Sequence, residues 1–105
     1  MLPNKVKVVG IEYKVIEKDV VEINGNLNYS GGCFHREAEI QVRKDASKDR
    51  KEQIFIHELV HAILNEAGYD NHEEEMVERF GIVLHQVLKD NDLQFINKHK
   101  HLSTP

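Results

Sequence analysis

The sequence predicts an α+β fold in which a short antiparallel sheet from the N-terminal half packs on two helices from the C-terminal half. Three patterns predict it: apolar residues that alternate with polar ones before residue 44, a helical apolar period over residues 48–67, and a second helical period over residues 72–89. The chain of 105 residues is enough for one domain. We place that domain at residues 1–92 and expect residues 93–105 to form a fraying tail.

The N-terminal half contains strand patterns separated by turn residues. Alternation over residues 6–16, with a change of phase at Gly10, predicts one half-buried strand that is bulged at the glycine. Glycine and asparagine are frequent in the following stretch, so only short extended pieces are expected there. Residues 32–43 then predict a hairpin with its turn near Arg36 and Glu37, and with Glu39–Arg43 as its second strand.

Two helices are predicted in the C-terminal half. The first covers residues 48–67, because Ser47 or Asp49 can cap its start and Gly68 is the residue type that ends helices. The second covers residues 72–89, and its apolar positions form one broad stripe. These positions are Met76, Val77, Phe80, Val83, Leu84, Val87 and Leu88.

The composition argues against two classes of partner. There are 14 Lys and Arg against 18 Asp and Glu, and the resulting net charge of -4 argues against a surface that follows nucleic-acid phosphates. No apolar run approaches the ~20 residues that span a bilayer. The single cysteine, Cys33, cannot form an internal disulfide, so we expect a reducing compartment, the cytoplasm. Seven histidines in one small domain indicate a specific chemical role.

The first predicted helix contains an H-E-x-x-H motif at residues 57–61. His57 and His61 are four residues apart, so both imidazoles lie on one helix face and can bind one metal ion. Zinc is the expected ion, and Glu58 is the expected general base that accepts a proton from the attacking water. The two histidines interrupt an apolar surface, so without a metal they would need other polar partners there.

A third ligand is expected from the start of the second predicted helix. Glu73 and Glu74 both lie on the apolar stripe or at its margin, and periodicity does not separate them. Glu78, one turn after Glu74, is a further candidate, either as the ligand or as a support for it. Acidic residues in a first helical turn also stabilise a helix without any metal.

The segments 57–64, HELVHAIL, and 74–81, EEMVERFG, resemble the small zincin-type metallopeptidases of the ImmA/IrrE class, including its short members from phages and prophages. The resemblance covers roughly residues 32–91. It implies a minimal zincin-like fold and makes Glu74 the third zinc ligand, with Val77 and Phe80 at the following positions of the family pattern. It also implies hydrolysis of a peptide bond in a protein substrate, such as a phage or host regulatory protein.

A peptidase also needs a group that stabilises the developing oxyanion. Tyr69 is the main candidate by position, and His72 and His85 are the others. We further expect the strand Glu39–Arg43 to be a sheet edge that pairs with an extended peptide substrate.

Two other functions remain open from the sequence. One is a zinc-stabilised binding or regulatory module without catalysis, in which His72, His85 or Cys33 would supply a fourth protein ligand. The other is an interaction protein that binds no metal. His99 and His101 lie beside lysines, and we assign them to the tail.

Overall fold

The computed structural model describes residues 1–97, and the predicted α+β class is confirmed in this part of the chain. A four-stranded sheet has the order β1-β2-β6-β5, and a separate two-stranded sheet pairs β3 with β4. Residues 98–105, with the predicted tail residues His99 and His101, lie outside the described residues. The elements are β1 (Lys5–Val8), β2 (Ile11–Lys18), β3 (Val21–Ile23), β4 (Asn26–Tyr29), β5 (Gly31–Phe34), β6 (Glu39–Arg43), α1 (Lys48–Glu66) and α2 (Glu74–Asp90).

The predicted single strand over residues 6–16 is wrong, because the chain turns back at Val9 and Gly10. Both residues have positive φ, 51° and 86°, as the two central residues of a tight type I′ hairpin turn require. Strands β1 and β2 therefore pair antiparallel, with Val8 opposite Ile11. The change of phase in the sequence marks this turn and not a bulge.

The predicted antiparallel sheet is also wrong, because the sheet is mixed. Strand β2 pairs parallel with β6, and Lys14 lies opposite Glu39. Strand β6 consequently lies between β2 and β5, with Ile40 and Val42 fully buried, so it is not the edge that the sequence predicted. The terminal strand on this side is β5, which pairs antiparallel with β6.

Helix α1 packs against β5 and β6 and contributes much of the core. Its ends follow the predicted signals: the Ser47 hydroxyl accepts a hydrogen bond from the Arg50 backbone N–H, and Gly68 follows the C-cap with φ 99°. At Gly31 of β5, a β-carbon would collide with the Cγ2 of Ile54, so glycine allows the edge strand to approach the helix. The core cluster includes Tyr13, Ile40, Val42, Phe55 and Ala62.

Helix α2 begins two residues later than predicted, at Glu74, and packs on α1. Its predicted apolar stripe is covered only in part. Val77 and Gly81 are buried, whereas Met76, Phe80, Val83 and Leu88 are exposed. The stripe is wider than the surface that a single neighbouring helix covers. No helix within residues 1–97 has the length and apolar character that crossing a membrane requires.

Candidate metal centre

One face of α1 forms the wall of a cavity of about 600 Å³. Its cavity-lining residues follow helical spacing, from Arg50 through Ile54 and His57 to His61. Strand β5 and the first turns of α2 border the same cavity. The cavity therefore brings the motif helix, the sheet edge and the acidic start of α2 together.

The structure brings together the three residues that the sequence proposed as metal ligands. The Nε2 atom of His57 lies 3.2 Å from one Glu74 carboxylate oxygen, and the Nε2 atom of His61 lies 3.0 Å from the other. One ligand atom from each of the three residues lies within 4.8 Å of the others. In contrast, Glu73 precedes α2 as its N-cap residue and does not line this cavity. Geometry thus separates the two glutamates that periodicity left equivalent.

The spacing of these atoms suits a small divalent cation. Ligand atoms around a tetrahedral zinc ion lie about 3.3 Å apart, because zinc–nitrogen bonds are about 2.0–2.1 Å long. The two distances between histidine and Glu74, 3.2 Å and 3.0 Å, are close to that spacing. The donor set of two imidazoles and one carboxylate is also typical of zinc sites that keep one position open.

Hydrogen bonds on the far side of each imidazole set its orientation. His57 Nδ1 lies 3.2 Å from a Glu78 carboxylate oxygen, so it can donate there. His61 Nδ1 lies 2.8 Å from His72 Nδ1, and His72 Nε2 lies 2.6 Å from the Tyr69 carbonyl oxygen. Since a carbonyl oxygen only accepts, a neutral His72 has its proton on Nε2 and accepts at Nδ1. His61 then donates from Nδ1.

Both proposed ligand histidines are thereby left with an Nε2 lone pair that faces Glu74. A carboxylate also only accepts hydrogen bonds. When both imidazoles are neutral, the two Nε2 atoms and the Glu74 carboxylate are therefore three acceptors that face one another without a proton between them. A bound cation would satisfy all three. The partners on the far side of the rings are of the kind that orient ligand histidines in metal sites. Burial lowers the pKa of His61, and this favours the neutral form that a metal ion requires.

Glu58 lies beside this group and is nearly buried, with 9% of its surface exposed. Its side chain lines the cavity and approaches β5, where a β-carbon on Gly31 would lie 3.4 Å from the Glu58 Cγ. Burial raises the pKa of Glu58 to about 8, and the negative charge of Glu74 contributes to the rise. A carboxyl group with a pKa near neutrality can both take up and release a proton.

The candidates for oxyanion stabilisation lie at or beyond the margin of the site. The Tyr69 side chain is 63% exposed and does not line the cavity, although its carbonyl oxygen holds His72. His85 bonds to Glu52 at 3.1 Å and also lies outside the cavity lining. The oxyanion role of Tyr69 stays a prediction.

Cys33 lines the cavity, but its sulfur lies beside another side chain. The Sγ atom lies 3.5 Å from His35 Nδ1. Burial raises the pKa of this thiol to about 12, and the negative charge of Glu58 adds to the effect. A thiol with so high a pKa is a poor metal ligand, because only the thiolate binds metal well.

Sequence reasoning missed several residues that line the cavity. Arg50 and Gln53 precede His57 on the same face of α1, and Tyr29 comes from the hairpin of β3 and β4. Helical spacing from the motif would have identified the first two. Tyr29 depends on how the chain folds between distant elements, and no local pattern indicates it.

Neither a protein-family model, nor a curated protein, nor a solved structure matched this chain.

Proposed function

We propose that the protein is a zinc-dependent peptidase that hydrolyses a peptide bond in a protein or peptide substrate. The observation that carries this proposal is the group formed by His57, His61 and Glu74, with the buried carboxyl of Glu58 beside it in one open cavity. Two imidazoles, one carboxylate and a neighbouring general base are the components that metal-assisted hydrolysis requires.

The number of ligands favours catalysis over a structural metal site. Within residues 1–97, the candidate group has three members and no fourth protein ligand. The residues that the sequence offers as a fourth ligand have other partners: His72 bonds to His61 Nδ1, His85 to Glu52, and Cys33 lies against His35. Structural zinc sites usually have four protein ligands, whereas catalytic sites have three and keep one position open.

The residues have distinct roles in the proposed reaction. Zinc, when bound, supplies a Lewis acid that polarises the scissile carbonyl and lowers the pKa of water toward ~7. A carboxylate oxygen of Glu58 accepts the proton of the attacking water and then donates it to the leaving amine nitrogen. Glu78 and His72 hold the two imidazoles with Nε2 directed to the metal position.

The surroundings of the site suit a polypeptide substrate. The cavity of about 600 Å³ is bordered by β5, the terminal strand of the four-stranded sheet. Such an edge can hydrogen-bond an extended peptide. On the basis of the family resemblance, we propose a regulatory protein as the natural substrate. The single cysteine makes the cytoplasm the proposed compartment.

The test compares the wild-type protein with Glu58→Gln, with Glu12→Gln as a matched control on the exposed side of β2. Each protein is loaded with zinc, its metal content is measured, and it is incubated with a library of proteome-derived peptides whose cleavage is read by mass spectrometry. We expect one zinc ion in all three proteins, and cleavage by wild type and Glu12→Gln only. A chelator should stop this cleavage, and added zinc should restore it.

Three results would contradict the proposal in different ways. Cleavage by Glu58→Gln at the wild-type rate would exclude Glu58 as the base. Equal zinc content in wild type and His61→Ala would exclude the proposed metal site. Zinc binding without any cleavage by wild type would favour the non-catalytic, zinc-stabilised module.

A further inference from the structure

A positively charged residue lies in the same cavity as the proposed metal centre. Arg50 lines the cavity on the face of α1 that carries His57, seven residues before it. With a rise of 1.5 Å per residue, the two positions lie about 10.5 Å apart along the helix axis. The cavity therefore has a guanidinium toward one end and carboxylates, from Glu58, Glu74 and Glu78, toward the other.

Arg50 has no acidic partner among residues 1–97. Arg43 lies 2.6 Å from Asp45, and Arg79 lies 3.5 Å from Glu75, but no carboxylate of the described chain forms an ion pair with Arg50. Helix stability does not explain the residue either. Arg50 lies in the first turn of α1, where a positive charge interacts unfavourably with the helix dipole.

Other residues of the cavity suit part of a bound peptide. Tyr29, Gln53 and Ile23 line it and offer an aromatic ring, an amide and an apolar side chain. Arg50 itself is exposed, so a ligand in the cavity can reach its guanidinium. A guanidinium binds a carboxylate through two parallel N–H bonds, so the preferred ligand group at Arg50 is a carboxylate.

We propose that Arg50 is a specificity-determining residue that binds a carboxylate of the substrate about three residues from the scissile bond. This inference depends on the proposed peptidase function. An extended chain advances about 3.3 Å per residue and so covers about 10 Å in three residues, close to the separation of about 10.5 Å between the two positions on α1. The carboxylate belongs either to an Asp or Glu side chain or to the C-terminus of the substrate.

The charges at the other end of the cavity make this selection dependent on position. A substrate carboxylate next to the scissile bond would lie near Glu78, whose negative charge is not used in metal coordination. The same group three residues away would face Arg50 alone. One charged substrate group is thus favoured in a single place along the bound chain.

The first experiment uses probes that bind both ends of the cavity. Monohydroxamates of straight-chain dicarboxylic acids of increasing length carry a zinc-binding group and a free carboxylate, and their methyl esters lack the charge. Affinities are measured on the zinc-loaded wild-type protein, on Arg50→Met and on Arg79→Met. The last is a matched control on α2, outside the cavity lining.

We expect the acid of best-fitting length to bind about fivefold more tightly than its ester in wild type and in Arg79→Met, since a partly exposed ion pair contributes up to ~1 kcal/mol. Arg50→Met should bind the acid and the ester equally. The preference should also weaken as salt is raised to about 0.5 M. Equal binding of acid and ester by wild type would overturn the role of Arg50 and leave the metal centre intact. Failure of both probes to bind would count against the metal centre itself.

The second experiment identifies the source of the carboxylate. Cleavage sites of wild type and Arg50→Met are mapped in proteome-derived peptides with free C-termini. If Asp or Glu is enriched three residues from the cut in wild type but not in Arg50→Met, the carboxylate belongs to a side chain of the substrate. Enrichment of cuts three residues from the peptide end indicates the terminal carboxylate. Cleavage by wild type with neither enrichment would overturn the proposal, although the peptidase function would stand.

Discussion

Gly81 of α2 lies against the backbone of His57 in α1, so closely that a β-carbon on Gly81 would be 3.6 Å from the His57 Cα. The helices therefore approach each other where the histidine motif begins. Glu78 and Glu74 lie three and seven residues before Gly81, on the same side of α2. The close approach at Gly81 is what brings both carboxylates within 3.2 Å of the His57 ring.

Substitutions of Gly81 should separate helix stability from metal binding. Gly81→Ala places its methyl group at ordinary contact distance, so we expect the free energy of unfolding to rise by about 0.5–1 kcal/mol through better helix propensity. Gly81→Leu needs more room and should push α2 away from His57, which weakens zinc binding by about tenfold or more. Urea denaturation and zinc competition with a chelating dye measure the two effects. Ile82→Leu, at the exposed neighbouring position, is the control, and unchanged zinc affinity in Gly81→Leu would contradict the argument.

Glu74 and Glu73 should differ sharply in their effect on metal binding. Glu74→Gln keeps the size of the side chain but removes the charge that faces both imidazoles. We expect the affinity for zinc to fall by more than about tenfold, because residues that only orient a metal ligand already cost about tenfold or more when they are replaced. Glu73→Gln should leave it unchanged, since that residue is outside the cavity lining. The absorption of bound cobalt(II) reports the ligand set directly. A large loss in Glu73→Gln with little loss in Glu74→Gln would exclude Glu74 as the third ligand.

His72 should act on the metal through His61. His72→Phe fills a similar volume but cannot accept the hydrogen bond from His61 Nδ1, so zinc affinity should fall by about 10–100-fold. His72→Asn, whose amide oxygen can accept in the same place, should recover most of the loss. His85→Phe is the control, because His85 bonds to Glu52 away from the cavity. Equal affinities in the two Phe variants would exclude this role of His72.

Local signals explain why the helices and the histidine pair could be predicted from the sequence. Ser47 and Gly68 act on the residues next to them, and the spacing of His57 and His61 places both on one face of any helix. The three-residue group with Glu74 needs only a second helix that packs on the first. The helix ends and the histidine pair depend on contacts within a few residues, and periodicity contains that information. The choice of Glu74 over Glu73 depends on how α2 packs on α1, which periodicity does not contain.

The sheet could not be predicted in the same way. Val9 and Gly10 do not form one of the strongest hairpin dipeptides, so the turn looked like an irregular strand. The parallel pairing of Lys14 with Glu39 joins residues that are far apart in sequence, and no local pattern specifies it. Because strand order decides which strand is an edge, the sequence predicts the edge at β6, whereas β5 is the terminal strand in the structure.

Glu58 should make the stability of the metal-free protein depend on pH. Its pKa is raised from 4.5 to about 8, mainly by burial, so between these values the folded protein keeps a proton that the unfolded chain releases. The contribution of Glu58 to the free energy of unfolding should therefore fall as pH rises through this window. This contribution should stay constant above the window, and its full loss should be on the order of 5 kcal/mol.

Glu58→Gln isolates this effect, because glutamine resembles the protonated side chain and does not titrate. We expect the metal-free variant to match wild type near pH 5 and to exceed it in stability by a few kcal/mol near pH 9, as measured by urea denaturation with a chelator present. Glu12→Gln, in the exposed part of β2, should keep a constant difference from wild type across the same range. Excess zinc should reduce the advantage of Glu58→Gln, because a nearby cation favours the ionised carboxylate. A stability difference that does not change with pH would mean that water or a neighbouring group keeps Glu58 ionised in the folded protein.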